Sequence, residues 1–434
     1  MIRRVFWRAV ALVVCAGGAV ALWSSSAMVA QPRGAIDVAV QTPQTVVACP
    51  GELEVPVGSV GTGGDLSSDP TQRTYVVLPD GVWEPSSPVR LETSLAAQSE
   101  EILDGDIAGI AAVTCAMAAT EQWLVGGATT LGASTRLVLS NPAEAPTEVT
   151  VSVYGPLGVV SDKLVIPIAS LSREDVLIEG LAPQLSALAV RVVASGPGVV
   201  AVLQDSRLSG FQPAGTEWVA ASDVATDLVI PGIDFGFEAV TSTLRLLAPE
   251  GATVALTLHS QDGVESWPEG DEVVLEPGVV TELEVPAQDV AAVSIAADAP
   301  VIAGARVVVP REAGADFEGE LAFDHAWIPG VRATSQSVAL VTVREPATLV
   351  VYSEQGDTIE FTGPDGEILA TLSVAPGTVQ QVELEVPAGT LVTSDGQAQW
   401  IQLITDDSRL SATRPLGIVG GQLEASVAFV PYGG

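Results

Sequence analysis

The sequence predicts an all-β fold: tandem immunoglobulin-like β-sandwich repeats after an N-terminal signal or anchor segment. Three observations predict it. Apolar runs recur with a period of about 100 residues from Glu121 onward. Within each period, short stretches alternate between apolar and polar residues, as strands covered on one face do. Valine, alanine, glycine and proline are frequent while long helical patterns are scarce, a mixture that favours strands and tight turns.

The first element is an export segment. Arg3, Arg4 and Arg8 precede an apolar stretch from Ala9 to Trp23, followed by small, mostly polar residues to Ala30. Cleavage after Ala27 would leave Ser25 and Ala27 at the required small positions. An uncleaved anchor is the alternative, because residues 5–23 are nearly long enough to cross a bilayer. Arg3-Arg4-Val5-Phe6 is similar to part of a twin-arginine signal, but an ordinary positive n-region is the preferred reading. Val14 before Cys15 is too bulky for lipoprotein cleavage. Residues 1–30 are therefore read as a signal peptide or membrane anchor.

Residues 31–120 form a β-rich first domain holding Cys49 and Cys115. Two cysteines in an exported chain most simply form one disulfide. On the chain-entropy model a bridge across 66 residues stabilises by about 4 kcal/mol. Two cysteines without nearby histidines do not complete a zinc shell. Gly58 to Asp69 reads as a Gly/Ser-rich loop, and Glu100 to Met117 fits either a short helix or alternating strands.

The repeats follow. A first marker is an apolar run ending at a turn: Trp123-Leu124-Val125-Gly126-Gly127, Leu228-Val229-Ile230-Pro231-Gly232, Trp327-Ile328-Pro329-Gly330 and finally Phe429-Val430-Pro431-Tyr432. Gly126, Pro231, Pro329 and Pro431 are separated by 105, 98 and 102 positions. A second marker pairs Leu137 with Leu139, Leu244 with Leu246, and Leu349 with Val351. A third is the alternating strand at Val149/Val151/Val153, Val254/Leu256/Leu258 and Ile359/Phe361. A fourth comprises Val190 and Val192, Val293 and Ile295, Ile401 and Leu403. The boundaries drawn from these markers are 121–231, 232–329 and 330–434, with about seven strands each, which indicates a sandwich. A propeller blade is shorter than 100 residues. The last marker has no sandwich after it, so the C-terminal strand is expected to complete an existing sheet.

Trp123-Leu124-Val125-Gly126-Gly127, then Leu137-Val138-Leu139-Ser140-Asn141-Pro142, then alternating valines and Gly155, resemble an actinobacterial exported-protein family known as a domain of unknown function. Cys49-Pro50-Gly51 and Cys115 also fit its first region. The resemblance implies an envelope location and tandem β-domains, and it implies no activity. The second and third units depart from the Asn-Pro turn, with Ala248-Pro249 and Ser353-Glu354 there instead.

Composition narrows the function. The 434 residues carry 18 Lys and Arg against 53 Asp and Glu, a net charge of −35. Without residues 1–30 the net is −38. No basic cluster is available to neutralise phosphates, which argues against nucleic acid and against anionic lipid surfaces. Membrane contact is expected only through the N-terminal segment. Hydrophobic residues at 47% are too many for a disordered acidic tail.

Motifs for chemistry are sparse. His259 continues the alternation of Val254, Leu256 and Leu258 on the opposite face and is expected at the surface. His325, after Asp324 in a turn-like stretch, reads as a loop or edge-strand histidine, because a triad also needs a positioned nucleophile and no Gly-x-Ser-x-Gly elbow is present. The single lysine, Lys163, rules out a Gly-x-x-x-x-Gly-Lys phosphate loop. Trp83, Trp218, Trp267, Trp327 and Trp400 are dispersed, and Trp327 is expected to pack into its sandwich. For calcium, the best acidic groups are Asp104-Gly105-Asp106, Asp406-Asp407, and the run Asp316, Glu318, Glu320 and Asp324. None has EF-hand spacing, and each is expected as a solvated loop. No cofactor, metal or catalytic residue is assigned. The expected function is a non-enzymatic envelope scaffold whose partner is a cell-wall glycan or another envelope protein. A secreted carbohydrate-active hydrolase using a carboxylate pair and an accessory subunit of envelope assembly are the alternatives.

Overall fold

The structure is a computed structural model. It describes residues 46–55 and 89–417, except 92, 94, 211, 237–240, 288, 313–320, 333–336, 396–397 and 407–408, together with five outlying short strands. The signal segment, most of the Gly58–Asp69 stretch, Trp83, Asp316, Glu318, Glu320, Asp407 and the last turn marker lie outside the described residues.

Two units are formed, one spanning 44–419 and one built from the two chain ends. In the latter, Ile36–Ala39 (β1) pairs antiparallel with a C-terminal strand at Glu424–Val427. The terminal marker, 429–432, expected to complete an existing sheet, lies outside the described residues.

In the larger unit, the region before the repeats contains Val47–Cys49 (β2), Ser59–Val60 (β3), Gly64–Asp65 (β4), Arg73–Leu78 (β5), Val89–Leu91 (β6), Ala96–Ile102 (β7) and Gly109–Cys115 (β8). Strands β5, β7 and β8 form one sheet, and β2 pairs with β6. The stretch that allowed a helix is thus a hairpin. Every residue of β8 is buried, which is why it reads as a continuous small-apolar run. Its Ile110 and Ala112 pack on Ala339, Val341 and Ile404. Its Ala111 and Val113 face Val138, Val202 and Trp218. Cys49 and Cys115 are bridged, with Cα atoms 4.5 Å apart, inside the usual disulfide range. Beside them Ala48 and Ala116 exchange backbone hydrogen bonds of 2.9 and 3.2 Å.

Three sandwiches follow. The first comprises Glu121–Val125 (β9), Ala133–Asn141 (β10), Thr147–Gly155 (β11), Gly158–Ile168 (β12), Ser172–Leu177 (β13), Ala189–Ala194 (β14), Val200–Ser209 (β15), Gln212–Val219 (β16) and Ala221–Ser222 (β17). The second comprises Ala225–Ile233 (β18), Thr241–Leu247 (β19), Ala252–His259 (β20), Val264–Glu265 (β21), Val273–Leu275 (β22), Val280–Val285 (β23), Ala291–Glu312 (β24) and Leu321–Pro329 (β25). The third comprises Val338–Val341 (β26), Ala347–Ser353 (β27), Asp357–Thr362 (β28), Ile368–Val374 (β29), Thr378–Leu384 (β30), Leu391–Asp395 (β31), Gln399–Asp406 (β32), Arg409–Thr413 (β33) and Leu416–Gly417 (β34). The C-terminal strand is β35.

The first sandwich has sheets ordered β12-β11-β14-β9-β17 and β13-β10-β15-β16. The third repeats this strand for strand, as β29-β28-β31-β26-β34 and β30-β27-β32-β33. In the second, one long strand replaces two. The first part of β24 pairs with β18 and β20, and the second part pairs with β19 and β25. Val149, Val151, Val190 and Val192 interleave with Leu137, Leu139, Ala201 and Leu203 to form the first core.

The pairing register corrects two sequence markers. Leu137 opposes Leu203, which opposes Val219; Leu244 opposes Ala305, which opposes Ile328. Trp327 therefore corresponds to Trp218 and closes the second sandwich rather than opening the third, which begins at β26. Likewise Ile401 and Leu403 lie on β32, the counterpart of β15, not of β14. Strand β18 begins at Ala225, so position 231 falls inside a strand. Short apolar runs ending in Pro-Gly look alike at either end of a sandwich, and only hydrogen-bond register separates them.

The sandwiches are not separate beads. Trp327, on the second, sits within the core of the first. Val350, Tyr352, Ile401 and Leu403 of the third join the core of the second. We expect residues 44–419 to unfold in one calorimetric transition. Trp327→Ala should lower its stability by about 3–5 kcal/mol without splitting it. Three resolved transitions in the wild-type chain would contradict fused cores.

Candidate functional site

Strands β8, β16, β25 and β33 are each the edge of their own sheet, and they meet in the interior. An edge strand carries backbone N–H groups with no ladder partner, and burying them unpaired is costly. Side chains supply the missing partners here. The Glu217 carboxylate accepts from the Trp218 N–H at 2.7 Å and the Ala112 N–H at 3.3 Å. Ala112 also donates to Ser411 Oγ at 2.8 Å. Asp324 accepts from the His325 N–H at 2.9 Å and from the Leu410 N–H at 3.1 Å. Both carboxylates have no exposed surface.

Burial pushes Glu217 well above the ordinary carboxylate range, and the nearby Asp324 adds to this against the hydrogen bonds it receives. Burial raises Asp324 to about 6 in spite of His325, Arg311 and the two amides. The backbone must come close for these contacts to form. Gly215 has φ +91°, and a Cβ there would lie 2.7 Å from His325 Nδ1 and closer still to Asp324.

A second group of charges joins the first two sandwiches. Asp205 is fully buried, and Arg207 grips it through two nitrogens at 2.7 and 2.9 Å. The Trp327 indole donates to it at 2.8 Å. Burial alone would raise its pKa, but Arg207 and His325 outweigh that and hold it far below the usual range. His325 Nδ1 faces the Ala214 carbonyl at 3.0 Å and so carries the proton it donates. Its Nε2 lies 3.4 Å from Asp205. Arg245 lies over the Trp327 ring at 4.8 Å and donates to Gly127 O, Leu188 O and Glu282 at 2.8, 3.0 and 2.9 Å. Burial lowers its pKa to about 10. On one side this junction opens into a cleft of about 340 Å³.

The surface and loop positions expected for the two histidines are corrected, because both side chains are buried. His259 is 5% exposed; it opposes the core face of its own sandwich, as alternation predicts, but the third sandwich covers that face. Its ring reaches Gly377 O at 3.1 Å and Ser294 Oγ at 2.8 Å, and lies 4.8 Å from the Tyr352 ring. Burial lowers its pKa. His325 lies in strand β25, not in a turn, and Asp324 belongs to the junction rather than to a solvated loop. Asp104 and Asp106 flank the β7–β8 turn, and Asp406 pairs with Arg344 at 2.7 Å. Among the described residues no group of three or more His, Cys, Asp or Glu is placed to hold a metal, and no helix is long and apolar enough to cross a membrane.

Sequence reasoning missed Asp205, Arg207, Glu217, Arg245 and Arg306. One signal was available. Asp205 continues the inward parity of Ala201 and Leu203, which places a carboxylate at the rim of a core.

Fold and junction together define an all-β protein of three fused sandwiches locked by buried charge. The chain belongs to a family of unknown function, DUF5719, whose sequence model matches residues 86–384, from the hairpin region into the third sandwich. No curated protein matches it. Among solved structures, the BSP domain of a biofilm-associated protein is similar at 11% identity and a TM-score of 0.16, covering 75% of this chain. The chain spans 63% of that structure's length.

Asp324 gives a pH test with a defined sign. Its folded pKa, about 6, exceeds the reference 3.8, so the stability it contributes is present below 3.8 and lost as pH rises to 6. Asp324→Asn gives up one amide acceptor at every pH. Relative to wild type it should gain up to about 3 kcal/mol between pH 4 and 6.5, measured by denaturant melts. A difference that stays flat across this window would refute the assignment.

Proposed function

We propose that the chain is a non-enzymatic extracytoplasmic scaffold that holds a rigid β-surface in the cell envelope, with a wall glycan or another envelope protein as partner. The observation that carries this reading is the fusion of three sandwiches and a hairpin through Trp327, Asp205, Glu217 and Asp324. Groups with catalytic chemistry are used there as internal hydrogen-bond partners. The disulfide between Cys49 and Cys115 supports an oxidising compartment, as do the charged and apolar features of residues 1–30. Fused cores support a stiff platform over a flexible spacer. Binding would then reside in loops and exposed edges.

The hydrolase reading draws on one feature, the neighbouring carboxylates Glu217 and Asp324 with raised pKa values. Both are wholly buried and accept backbone amides, which favours the scaffold reading over this one. The accessory-subunit reading draws on the exposed edge strand β12, where Val159 and Val165 are 52% and 49% exposed, and on Leu157 in the turn before it, 97% exposed. That edge is broken by register shifts opposite Val151 and Val153 and carries Lys163 at φ 67°. A bulge and a lysine are devices that discourage strand addition, so this observation favours a surface not meant to be extended.

The full chain should co-sediment with purified cell wall, and bait-dependent capture from solubilised membranes should be weaker. Incubation with wall polysaccharides and peptidoglycan should release no product. Turnover that disappears in Glu217→Gln, at unchanged stability, would replace the scaffold reading with the hydrolase.

A further inference from the structure

The cleft at the edge of the junction has an unusual lining for so acidic a chain. Arg207, Arg306 and His325 line it with Thr130 and Thr241, and among the described residues no carboxylate lines it. Leu131, Leu208, Val308 and Phe323 add an apolar side. The carboxylates nearby are already engaged. Asp205 is held by Arg207 and Trp327, and Glu282 by Arg245. Three guanidiniums, those of Arg207, Arg245 and Arg306, thus share two carboxylates.

Arg306 is the cation left over. It projects from β24 between Thr243 and Trp327 on the flanking strands. Among the described residues it makes no ion pair, and its buried Nε has no hydrogen-bond partner. Burial lowers its pKa and Arg207 lowers it further, against the pull of Asp205 and Glu282, which other arginines already hold. A desolvated guanidinium with no directly paired carboxylate is costly, and its planar donor fork fits a carboxylate or phosphate. The cleft's volume, about 340 Å³, falls within the range of small-ligand sites, roughly 300–1,000 Å³.

We propose that this cleft is an oxyanion-binding site for a carboxylate or phosphate carried on a sugar-sized body. Arg306 and Arg207 hold the anion, Thr130 and Thr241 offer hydroxyls, and Phe323 and Val308 face the apolar side of the ring. The proposal deepens the scaffold reading and rests on it only for the choice of an acidic saccharide as the ligand's source.

The test is calorimetric titration of the full chain with inorganic phosphate, glucuronate and glucose. Saturable binding of glucuronate, with none of glucose, is expected. Arg306→Gln should weaken it at least about tenfold. Because a buried arginine variant can lose stability, Leu131→Asp provides a second probe. Leu131 is 94% exposed, so the change leaves the fold intact and sets a repelling charge at the cleft mouth. It too should weaken binding, while Arg191→Gln, at an exposed pair on the first sandwich, should not. Binding of phosphate alone would keep the oxyanion site and assign it to free phosphate. No binding of either anion, or unchanged affinity in both cleft variants, overturns the proposal. Wall co-sedimentation separates the two readings. If the wild-type chain binds wall but neither anion, the scaffold stands and this site fails. If anions bind but the wild-type chain ignores wall, the site stands and the wall-glycan partner fails.

Discussion

The structure depends on satisfying the edges of four sheets in one dry place. A sandwich closes its core but leaves its edge strands with unpaired amides, and proteins ordinarily leave these to water. Here β8, β16, β25 and β33 turn their edges toward one another. Glu217, Asp324 and Ser411 take the place of water by accepting the Trp218, Ala112, His325 and Leu410 N–H groups. A carboxylate is well suited, since it offers several acceptor positions where a hydroxyl offers two. The cost is desolvation, which is why both carboxylates are pushed toward their neutral forms.

Asp205 shows the other outcome of burial. It is equally hidden, yet it stays charged because Arg207, the Trp327 indole and His325 surround it. The difference is one of partners: Glu217 and Asp324 receive mostly neutral amides, whereas Asp205 receives a bidentate guanidinium. Removing one member of such a buried set typically costs about 3–5 kcal/mol, because the remaining charge is stranded. Specific buried partners of this kind also fix how one sandwich sits on the next. A purely apolar contact between repeats of like topology would tolerate rotation or slippage more readily.

A rigid cluster of sandwiches has consequences for function. Spacer proteins keep their repeats independent, so that each contacts its neighbours through small polar interfaces. In this chain Trp327 of the second sandwich crosses into the core of the first, and Tyr352 of the third crosses into the core of the second. The loops and clefts of different repeats therefore hold fixed positions. The cleft lined by Arg207 and Arg306 draws its walls from both of the first two sandwiches and exists only because they are locked.

The sequence by itself determined the strand content, the repeat and the disulfide partners. Alternation and period are local, and the two cysteines beyond the N-terminal segment, Cys49 and Cys115, have one pairing with each other. The second and third markers fall on equivalent strands in all three sandwiches for the same reason: they sit on strands flanked by others on both sides, where the inward face must be apolar. Only the tertiary structure decided where His259, His325, Asp205, Glu217 and Asp324 lie. Alternation separates the inner face of a sandwich from its outer face, but it does not say whether water or another sandwich covers the outer one. His259 looks solvent-facing until the third sandwich covers it, and Asp324 looks like part of an acidic loop until β33 brings the Leu410 amide to it. The physical reason is range. Periodicity records what a strand packs against within its own repeat, whereas the burial of an edge is set by strands as many as 300 residues apart in the chain.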